Sequence, residues 1–250
     1  LVKIDSDQEQ QLAGAFGIRS IPTCVLMKNG QPVDGFMGAL PEGQIRAFLD
    51  KHVPTEGEQQ AEEDDAAAQE ALVAGDVDAA LDKLRAAVQA DPANDDARFD
   101  LVKLLLEVGD DDEAKVAFAP VIAKAAAVRR LDSLQRLMDA MDFAHAKGPQ
   151  QMEALVELDS RIATNRRDFE ARFDRARLLM AHQKWTEAMD ELLEILMRDK
   201  SWNEDLARKA YIAVLDIIEP PKPKVAEGQI PPDDPVVASY RRRLSSVVLS

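Results

Sequence analysis

Residues 17–30 read Gly-Ile-Arg-Ser-Ile-Pro-Thr-Cys-Val-Leu-Met-Lys-Asn-Gly, and this stretch specifies how the N-terminal part of the chain folds. The apolar run at residues 24–27 is typical of a strand. Asn29 and Gly30 form a strong hairpin signal, because a type I′ turn needs positive φ at both central residues. A second strand is therefore predicted at residues 31–37.

The flanking residues extend this pattern in both directions. Residues 2–4 alternate as a strand edge would, and residues 9–16 form a short predicted helix with Leu12 and Phe16 on one face. Pro41 opens a further helix, since proline fits the first helical turn without losing a hydrogen bond. The expected order is strand, helix, hairpin and helix, which is an α/β arrangement.

This part of the chain resembles the C-terminal half of the thioredoxin fold. The stretch at 17–23, the strand after it, the turn at 29–30, Gly38 and the final helix match that fold in order and spacing. The resemblance covers residues 1–53, and we assign residues 1–54 to this half-domain. It implies an α/β thioredoxin-like fragment built on a mixed sheet.

The resemblance also implies a substrate-binding surface. Ile21 and Pro22 would be joined by a cis peptide bond, which X-Pro pairs adopt at low cost. The bond is expected at a surface groove of the sheet, where the backbone before the proline pairs with an extended substrate segment. Ile21, Pro22 and Thr23 are therefore the predicted substrate-groove residues.

The chain has one cysteine, Cys24, and three histidines. A single thiol cannot form an internal disulfide, and these residues offer no Cys/His zinc cluster. The redox Cys-x-x-Cys of the thioredoxin family would lie before Leu1, so we expect no catalytic residue, metal site or cofactor in this chain. Cys24 is expected to be a buried small apolar side chain on its strand. A reducing cytoplasmic setting fits this cysteine usage.

The composition changes after the half-domain. We place a linker at residues 55–60, and the chain that follows is rich in Ala, Leu, Asp and Glu. The sequence Gly-Asp-Val-Asp at positions 75–78 recurs as Gly-Asp-Asp-Asp at positions 109–112. Ala80 and Ala114 are separated by the same interval, and the small side chains of Ala80 and Ala87 would let the two helices of one repeat approach closely. This interval matches the helix–turn–helix period of the tetratricopeptide repeat, which is about 34 residues.

A later unit at positions 184–195 repeats the second-helix pattern. Two further periods from Ala114 would end at position 182, whereas the equivalent alanine is Ala188. The repeat at 129–165 is therefore predicted to be lengthened. Residues 61–218 are assigned to degenerate tetratricopeptide-like repeats. They predict an all-α helical solenoid, because one helical pair cannot bury its apolar face alone.

The net charge of −15 is concentrated in one part of the chain. Residues 56–113 carry 4 basic and 19 acidic side chains, whereas residues 1–55 have a net charge of −1 and residues 114–250 a net charge of +1. Such a field repels nucleic-acid phosphates and anionic lipid, so neither nucleic acid nor membrane is an expected partner. The acidic segment is either a solvated helical face or a docking surface for a basic partner.

Six of the eight methionines lie between Met138 and Met197. Unbranched, polarizable side chains suit a surface that accepts varied apolar partners, and they also fill gaps in a core. The sequence is compatible with both roles.

Residues 219–250 are predicted to be a Pro-rich segment followed by an amphipathic helix. Val236, Tyr240, Leu244 and Val248 follow one another at every fourth position and form one apolar stripe. Such a helix either seals the array as a cap or enters the groove of a partner. These four side chains are the candidate partner-docking residues.

The whole combination resembles a group of bacterial proteins. A thioredoxin half, a degenerate repeat array and a C-terminal helix with Ser-Tyr-Arg-Arg-Arg-Leu at residues 239–244 look like the YbbN/CnoX group of thioredoxin-like chaperones, the chaperedoxins. The resemblance implies a cytoplasmic holdase that does not itself catalyse redox reactions. It would bind unfolded client proteins and pass them to chaperonin or Hsp70 systems.

Two other functions remain open. The first is a thiol–disulfide oxidoreductase whose catalytic cysteines lie before Leu1. The second is a tetratricopeptide adaptor or scaffold that grips peptide C-termini. That role needs basic groups along its groove, and residues 56–113 supply only Lys83, Arg85, Arg98 and Lys103, which argues against it.

Overall fold

The computed structural model describes residues 2–28, 30–220 and 232–249, with Lys28 described by its backbone. The chain divides into two compact units, Leu1–Glu56 and Gly57–Ser250. The first contains a two-stranded sheet with helices, and the second is built of helices. This confirms the predicted order of an α/β thioredoxin-like fragment and an all-α helical solenoid.

The first unit contains α1 (Gln10–Ala15), β1 (Thr23–Lys28), β2 (Gln31–Met37) and α2 (Glu42–Leu49). The strands form an antiparallel hairpin, with a register irregularity between Leu26 and Met27. The predicted mixed sheet is therefore not present among the described residues, because a mixed sheet needs a parallel neighbour and β1 and β2 pair only with each other. Asn29 of the predicted turn lies outside the described residues. Gly30 has a φ of +77°, as the predicted turn needs.

Gly35 allows the two strands to approach closely. A Cβ atom at this position would lie 2.6 Å from the backbone oxygen of Cys24, closer than side chains come in practice. Glycine in the interior of a strand often marks a close approach of another backbone, and this hairpin is such a case.

The strand predicted at residues 2–4 is absent from the described structure. An isolated extended segment gains little stability, because its backbone groups need a neighbouring strand. In the described sheet, β1 and β2 pair with each other and do not reach residues 2–4.

No residue described in the first unit is fully buried. Phe36 on β2 and Phe48 on α2 pack edge to face, with ring centroids 5.1 Å apart. His52 contacts the Phe48 ring, and its Nε2 lies 2.7 Å from the Asp34 carboxylate. The pKa of Asp34 is lowered, mainly because its carboxylate accepts a hydrogen bond from the Gly35 N–H and also because of His52. These contacts hold α2 against the hairpin.

The second unit is a succession of helices joined by short turns. In chain order they are α3 (Glu56–Ala74), α4 (Val77–Ala90), α5 (Asp95–Val108), α6 (Asp111–Phe118), α7 (Arg129–Lys147), α8 (Gln151–Thr164), α9 (Phe169–Ala181), α10 (Trp185–Leu196), α11 (Trp202–Ile218) and α12 (Pro235–Leu249). Segments of 3-10 helix at Ala119–Ala127 and Gly148–Gln150 precede α7 and α8. The Pro-rich stretch between α11 and α12 lies largely outside the described residues.

The linker predicted at residues 55–60 is instead largely helical, because α3 begins at Glu56. Glutamate and glutamine at positions 58–60 are good helix formers. Gln60 also donates a hydrogen bond to Asp64 one turn later, which supports the first turns of α3.

The backbone repeats with the predicted period. Gly75 follows α3 and Gly109 ends α5, with φ values of +79° and +83° that suit glycine at the end of a helix. Asp76 and Asp110 come next, and each side chain accepts a hydrogen bond from the N–H of the third residue after it, at 3.0 and 3.1 Å. The recurring Gly-Asp pair therefore ends one helix and caps the next.

Small side chains lie in the core of the array at the predicted positions. Ala80, Ala114 and Ala188 are each fully buried. A methyl group fills little space, so the backbones of neighbouring helices come close together at these points.

The lengthened repeat is also present. The start of α5 at Asp95 and the start of α7 at Arg129 are one period apart, whereas α9 begins at Phe169 instead of at position 163. The extra length lies in α7, which has 19 residues against 14 in α5, and in the turn at Gly148–Gln150.

Two main hydrophobic clusters form the interior of the second unit. The first contains Leu84, Phe99 and Leu131, and the second contains Met189 and Tyr211. Trp185 packs against both clusters and links them. Trp202 also packs within the array, where its ring contacts Phe169 and Phe173.

Carboxylates from α3 and α5 surround one cation of α7. Arg130 donates hydrogen bonds to Asp96 and Asp100, and its guanidinium lies 4.0 Å from the centre of the Phe99 ring. Burial raises the pKa of Asp100 to about 6, with Arg130 opposing the shift and Asp65 adding to it. Burial also raises the pKa of Asp65, whose Oδ1 has no hydrogen-bond partner among the described residues.

Replacing Ala80 with leucine tests the close approach of the helices. The larger side chain has to displace its neighbours, so Ala80→Leu is expected to lower the free energy of unfolding by about 1–3 kcal/mol. Urea unfolding followed by circular dichroism measures this loss. Ala74→Leu, at an exposed position of α3, is the matched control. Equal stability of the two variants would contradict the close approach.

Replacing Asp100 with asparagine should change the pH dependence of stability. The carboxyl group binds its proton more tightly in the folded chain than in the unfolded chain, since its pKa rises from 3.8 to about 6. The protonated Asp100 therefore stabilises the original chain at low pH, and this contribution is lost as the pH rises through the window from 3.8 to about 6. Asp100→Asn cannot ionise, so it should gain about 1–3 kcal/mol relative to the original chain as the pH rises.

Urea unfolding of both proteins below and above this window measures the effect. Asp112→Asn, which removes the same charge from an exposed position of α6, controls for the overall net charge. If the stability difference between Asp100→Asn and the original chain is the same at both pH values, the raised pKa is wrong.

Candidate functional site

The peptide bond between Ile21 and Pro22 is cis, which confirms the predicted geometry of this bond. Both residues are exposed, Ile21 to 77%. The hydroxyl group of Thr23 donates to the carbonyl oxygen of Ser20 at 2.6 Å, and the Gly38 N–H donates to that of Pro22 at 2.8 Å. These bonds fix the backbone beside the proline. The pairing of a substrate segment with Ile21, Pro22 and Thr23 stays a prediction.

Cys24 is exposed, so the prediction that it is buried was wrong. An apolar run on a strand indicates burial only when other layers cover both faces of the sheet. The described sheet consists of β1 and β2, and the side chain of Cys24 remains open to solvent.

Two ion pairs lie in the described part of the first unit, one between His52 and Asp34 and the other between Arg46 and Glu42. Within residues 2–28, 30–220 and 232–249, no group of three or more His, Cys, Asp or Glu side chains could hold a metal ion. In the same ranges, no helix has the length and apolar character to cross a membrane.

The C-terminal helix α12 packs on α10 and α11 through a stripe that differs from the predicted one. Val237 is fully buried, and Tyr240, Leu244 and Val247 pack against the second hydrophobic cluster. Val236, predicted to belong to the stripe, is 45% exposed. A run with a constant spacing of four drifts around an α-helix, which has about 3.6 residues per turn, whereas spacings of three and four together stay on one face.

Polar contacts fix the middle of α12. Tyr211 donates a hydrogen bond from its hydroxyl group to the backbone oxygen of Tyr240 at 2.8 Å. The hydroxyl group of Tyr240 lies 3.2 Å from the Asp190 carboxylate, which also forms an ion pair with Arg243 at 2.7 Å. Burial raises the pKa of both tyrosines. These hydroxyl groups therefore stay protonated and act as donors at neutral pH.

The two ends of α12 are held as well. The side chain of Asp234 accepts hydrogen bonds from the first backbone N–H groups of the helix, at 2.9 Å. Arg241 pairs with Glu219 at the end of α11, at 2.6 Å, and Lys200 donates to the backbone oxygen of Val248 at 3.4 Å. This packing is that of a capping helix. Docking of Val236, Tyr240, Leu244 and Val248 on a partner stays a prediction.

The sequence interpretation missed the residues that receive α12. Asp190 and Tyr211 lie on α10 and α11, and Glu219 follows α11, so all three are far from their partners along the chain. No local spacing connects residues so far apart. The apolar patterns of α10 and α11 predict only that these helices are amphipathic.

The methionines divide between core and surface. Met138, Met180 and Met189 are buried, whereas Met152 and Met197 are 71% and 54% exposed. Met152 lies one turn before Val156 on α8, and Val156 is 63% exposed. Exposed methionines therefore lie on α8 and just after α10, and their role in binding apolar partners stays a prediction.

Comparison with protein families agrees with the two units. A thioredoxin family model matches residues 1–51. Two tetratricopeptide repeat models match residues 71–138 and 148–248. The second of these ranges includes α12, which is consistent with its packing on the last helices of the array.

Curated relatives match the first unit. Thioredoxin from Haemophilus influenzae is 45% identical over 53 residues, which cover 21% of this chain and 50% of the relative. Thioredoxin 1 from Nostoc sp. is 43% identical over the same length and covers 21% and 50% of the two chains. Thioredoxin from Bacillus subtilis is 38% identical, covering 21% and 51%. The chain thus spans about half the length of the thioredoxins that it matches, and it joins this segment to tetratricopeptide repeats.

Proposed function

We propose that this chain is a protein-binding holdase of the YbbN/CnoX type, which captures unfolding proteins in the cytoplasm and passes them to chaperonin or Hsp70 systems. The similarity to thioredoxin and to tetratricopeptide repeats supports a thioredoxin-like protein-binding adaptor. The holdase activity and the transfer of clients are the further steps of the proposal.

The observation that carries the proposal is the exposed apolar pair on α8. Met152 and Val156 lie one turn apart and are largely accessible to solvent. Transfer of such side chains from water to an apolar surface is favourable by about 25 cal/mol per Å² buried. The flexible thioether of methionine can also adapt to differently shaped client segments.

A second candidate function is thiol–disulfide exchange, which the similarity to thioredoxins favours. Cys24 is exposed, and it is the one cysteine of the chain. A dithiol mechanism needs a second thiol to resolve the mixed disulfide. Turnover of insulin disulfides by this chain, lost in Cys24→Ser, would favour this function over the holdase.

The holdase proposal predicts suppression of aggregation without ATP. An equimolar amount of the chain should reduce light scattering by a chemically denatured client protein. The double variant Met152→Gln/Val156→Gln should lose most of this effect, because its α8 surface is polar. Val73→Gln/Val116→Gln removes two other exposed apolar side chains and is the matched control.

Unchanged light scattering with the original chain would refute the holdase activity. It would leave the adaptor or scaffold function. Equal loss in both double variants would show that α8 is not the client surface.

Deleting residues 235–250 separates the two roles of α12. The packing of Val237 and Tyr240 predicts that the truncated chain loses several degrees of melting temperature, since about 1 kcal/mol corresponds to about 2–4 °C for a protein of this size. Under partner docking, the truncated chain would also stop co-purifying with chaperonin. A stable truncated chain that still binds chaperonin would exclude docking by this helix.

A further inference from the structure

A cleft of about 570 Å³ lies between α7, α11 and α12. Its walls come from the end of the 3-10 segment before α7, from one face of α11 and from α12. The polar and apolar side chains that define it include Arg129, Asp132, Lys209, Ile212, Arg241 and Leu244. The cleft therefore exists only when α12 is packed on the array.

Three cations from three different helices line the cleft. Lys209 of α11 donates to the neutral backbone oxygen of Glu204 at 2.7 Å, and among the described residues its ammonium group forms no ion pair. Arg129 of α7 pairs with Asp216, yet its side chain remains 64% exposed. Arg241 of α12 pairs with Glu219.

The carboxylates near the cleft are already engaged. Asp216 is 6% exposed at its side chain and accepts hydrogen bonds from both Arg129 and Ser133. Asp132, the carboxylate in the lining, pairs with Arg136 one turn further along α7, at 2.8 Å. The lining contains three cations and one carboxylate, and because Arg129 and Arg241 are themselves paired, the excess positive charge lies mainly on Lys209.

The start of α7 adds to the positive potential. Val128 precedes this 19-residue helix and provides no side-chain cap. A helix N-terminus has the effect of about half a positive charge, carried by its first N–H groups. Ala126, Ala127 and Arg129 place this helix end at the cleft.

The floor of the cleft is apolar. Leu215 is buried, and Ile212 and Leu244 are half-buried beside it. The small side chains of Ala126 and Ala127 leave space above this floor. A ligand that combines negative charge with aliphatic groups would therefore be complementary to both the rim and the floor.

We propose that this cleft binds an acidic segment of a partner protein, in which carboxylates alternate with aliphatic side chains. The carboxylates would lie at Arg129, Lys209 and Arg241, and the aliphatic groups on Ile212, Leu215 and Leu244. A nucleic acid fits less well, because residues 56–113 of the same unit carry a net charge of −15 and repel a long polyanion.

This proposal goes beyond the holdase function and uses a different surface. It involves neither the cis-proline region nor α8. A negative aggregation assay would therefore not affect the peptide-binding result. A negative peptide-binding result would likewise not affect the holdase proposal.

Fluorescence anisotropy of labelled synthetic peptides on the full chain tests the proposal. A peptide of alternating Glu and Leu should bind saturably and more weakly at high salt. A Gln/Leu peptide lacks the charge, and a Glu/Ser peptide lacks the aliphatic groups, so both should bind much more weakly.

Matched variants locate the binding. Lys209→Glu should weaken binding of the Glu/Leu peptide by about tenfold or more, whereas Arg208→Glu, the same charge change on the adjacent residue of α11, should change it by less than about twofold. Ser245→Trp should block the cleft without a change of charge, and Ser246→Trp on the same helix is its control. Circular dichroism confirms that each variant is folded.

Four results would overturn the proposal. Saturable binding of the Glu/Leu peptide could be absent. Lys209→Glu and Arg208→Glu could weaken binding equally, which would indicate general electrostatic attraction. The Gln/Leu peptide could bind as tightly as the Glu/Leu peptide, which would show that the negative charge is not recognised. Ser245→Trp could leave binding unchanged, which would place the peptide outside the cleft.

Discussion

The close approach of helices at alanine positions is the constraint on which the repeat array depends. Ala80, Ala114 and Ala188 are fully buried, and each allows larger apolar side chains around it to meet. One helical pair exposes an apolar face that the next pair must cover. The large side chains of the core can be buried only because these stacked pairs lie close together. The clusters that hold α12 and form its cleft are built on the same stacking.

Ion pairs add specificity to this stacking. Arg85 of α4 pairs with Glu113 of α6, and Arg172 of α9 pairs with Glu191 of α10. Exposed pairs contribute little stability, whereas pairs with a buried member need their partner to offset its desolvation. Asp216 is such a member, and through Arg129 it fixes α11 against α7. These pairs favour one arrangement of helices that are otherwise similar in composition.

The two units differ in how complete their packing is. The array has extensive buried clusters, whereas the first unit has none among its described residues. Its hairpin is held to α2 by Phe36, Phe48 and the His52–Asp34 pair. Apolar side chains on the hairpin therefore remain exposed, as Val25 does. The substrate pairing predicted for the first unit would therefore use surface backbone, whereas the peptide binding proposed for the array would use a cleft between helices.

Features that depend on neighbouring residues along the chain could be predicted from the sequence. The Gly-Asp turns of the repeat and the hairpin belong to this group, because capping and turn formation are local. The cis bond at Pro22 was predicted from the resemblance to the thioredoxin fold. The lengthened repeat followed from spacing alone. Which side chains are covered became clear only from the tertiary structure. Cys24 is exposed, three of the six methionines between Met138 and Met197 are buried, and Val237 rather than Val236 anchors α12. Burial depends on segments that are far apart in sequence. Tyr211 contacts α12, and Lys209 lines a cleft with α12, only after α11 and α12 have packed together.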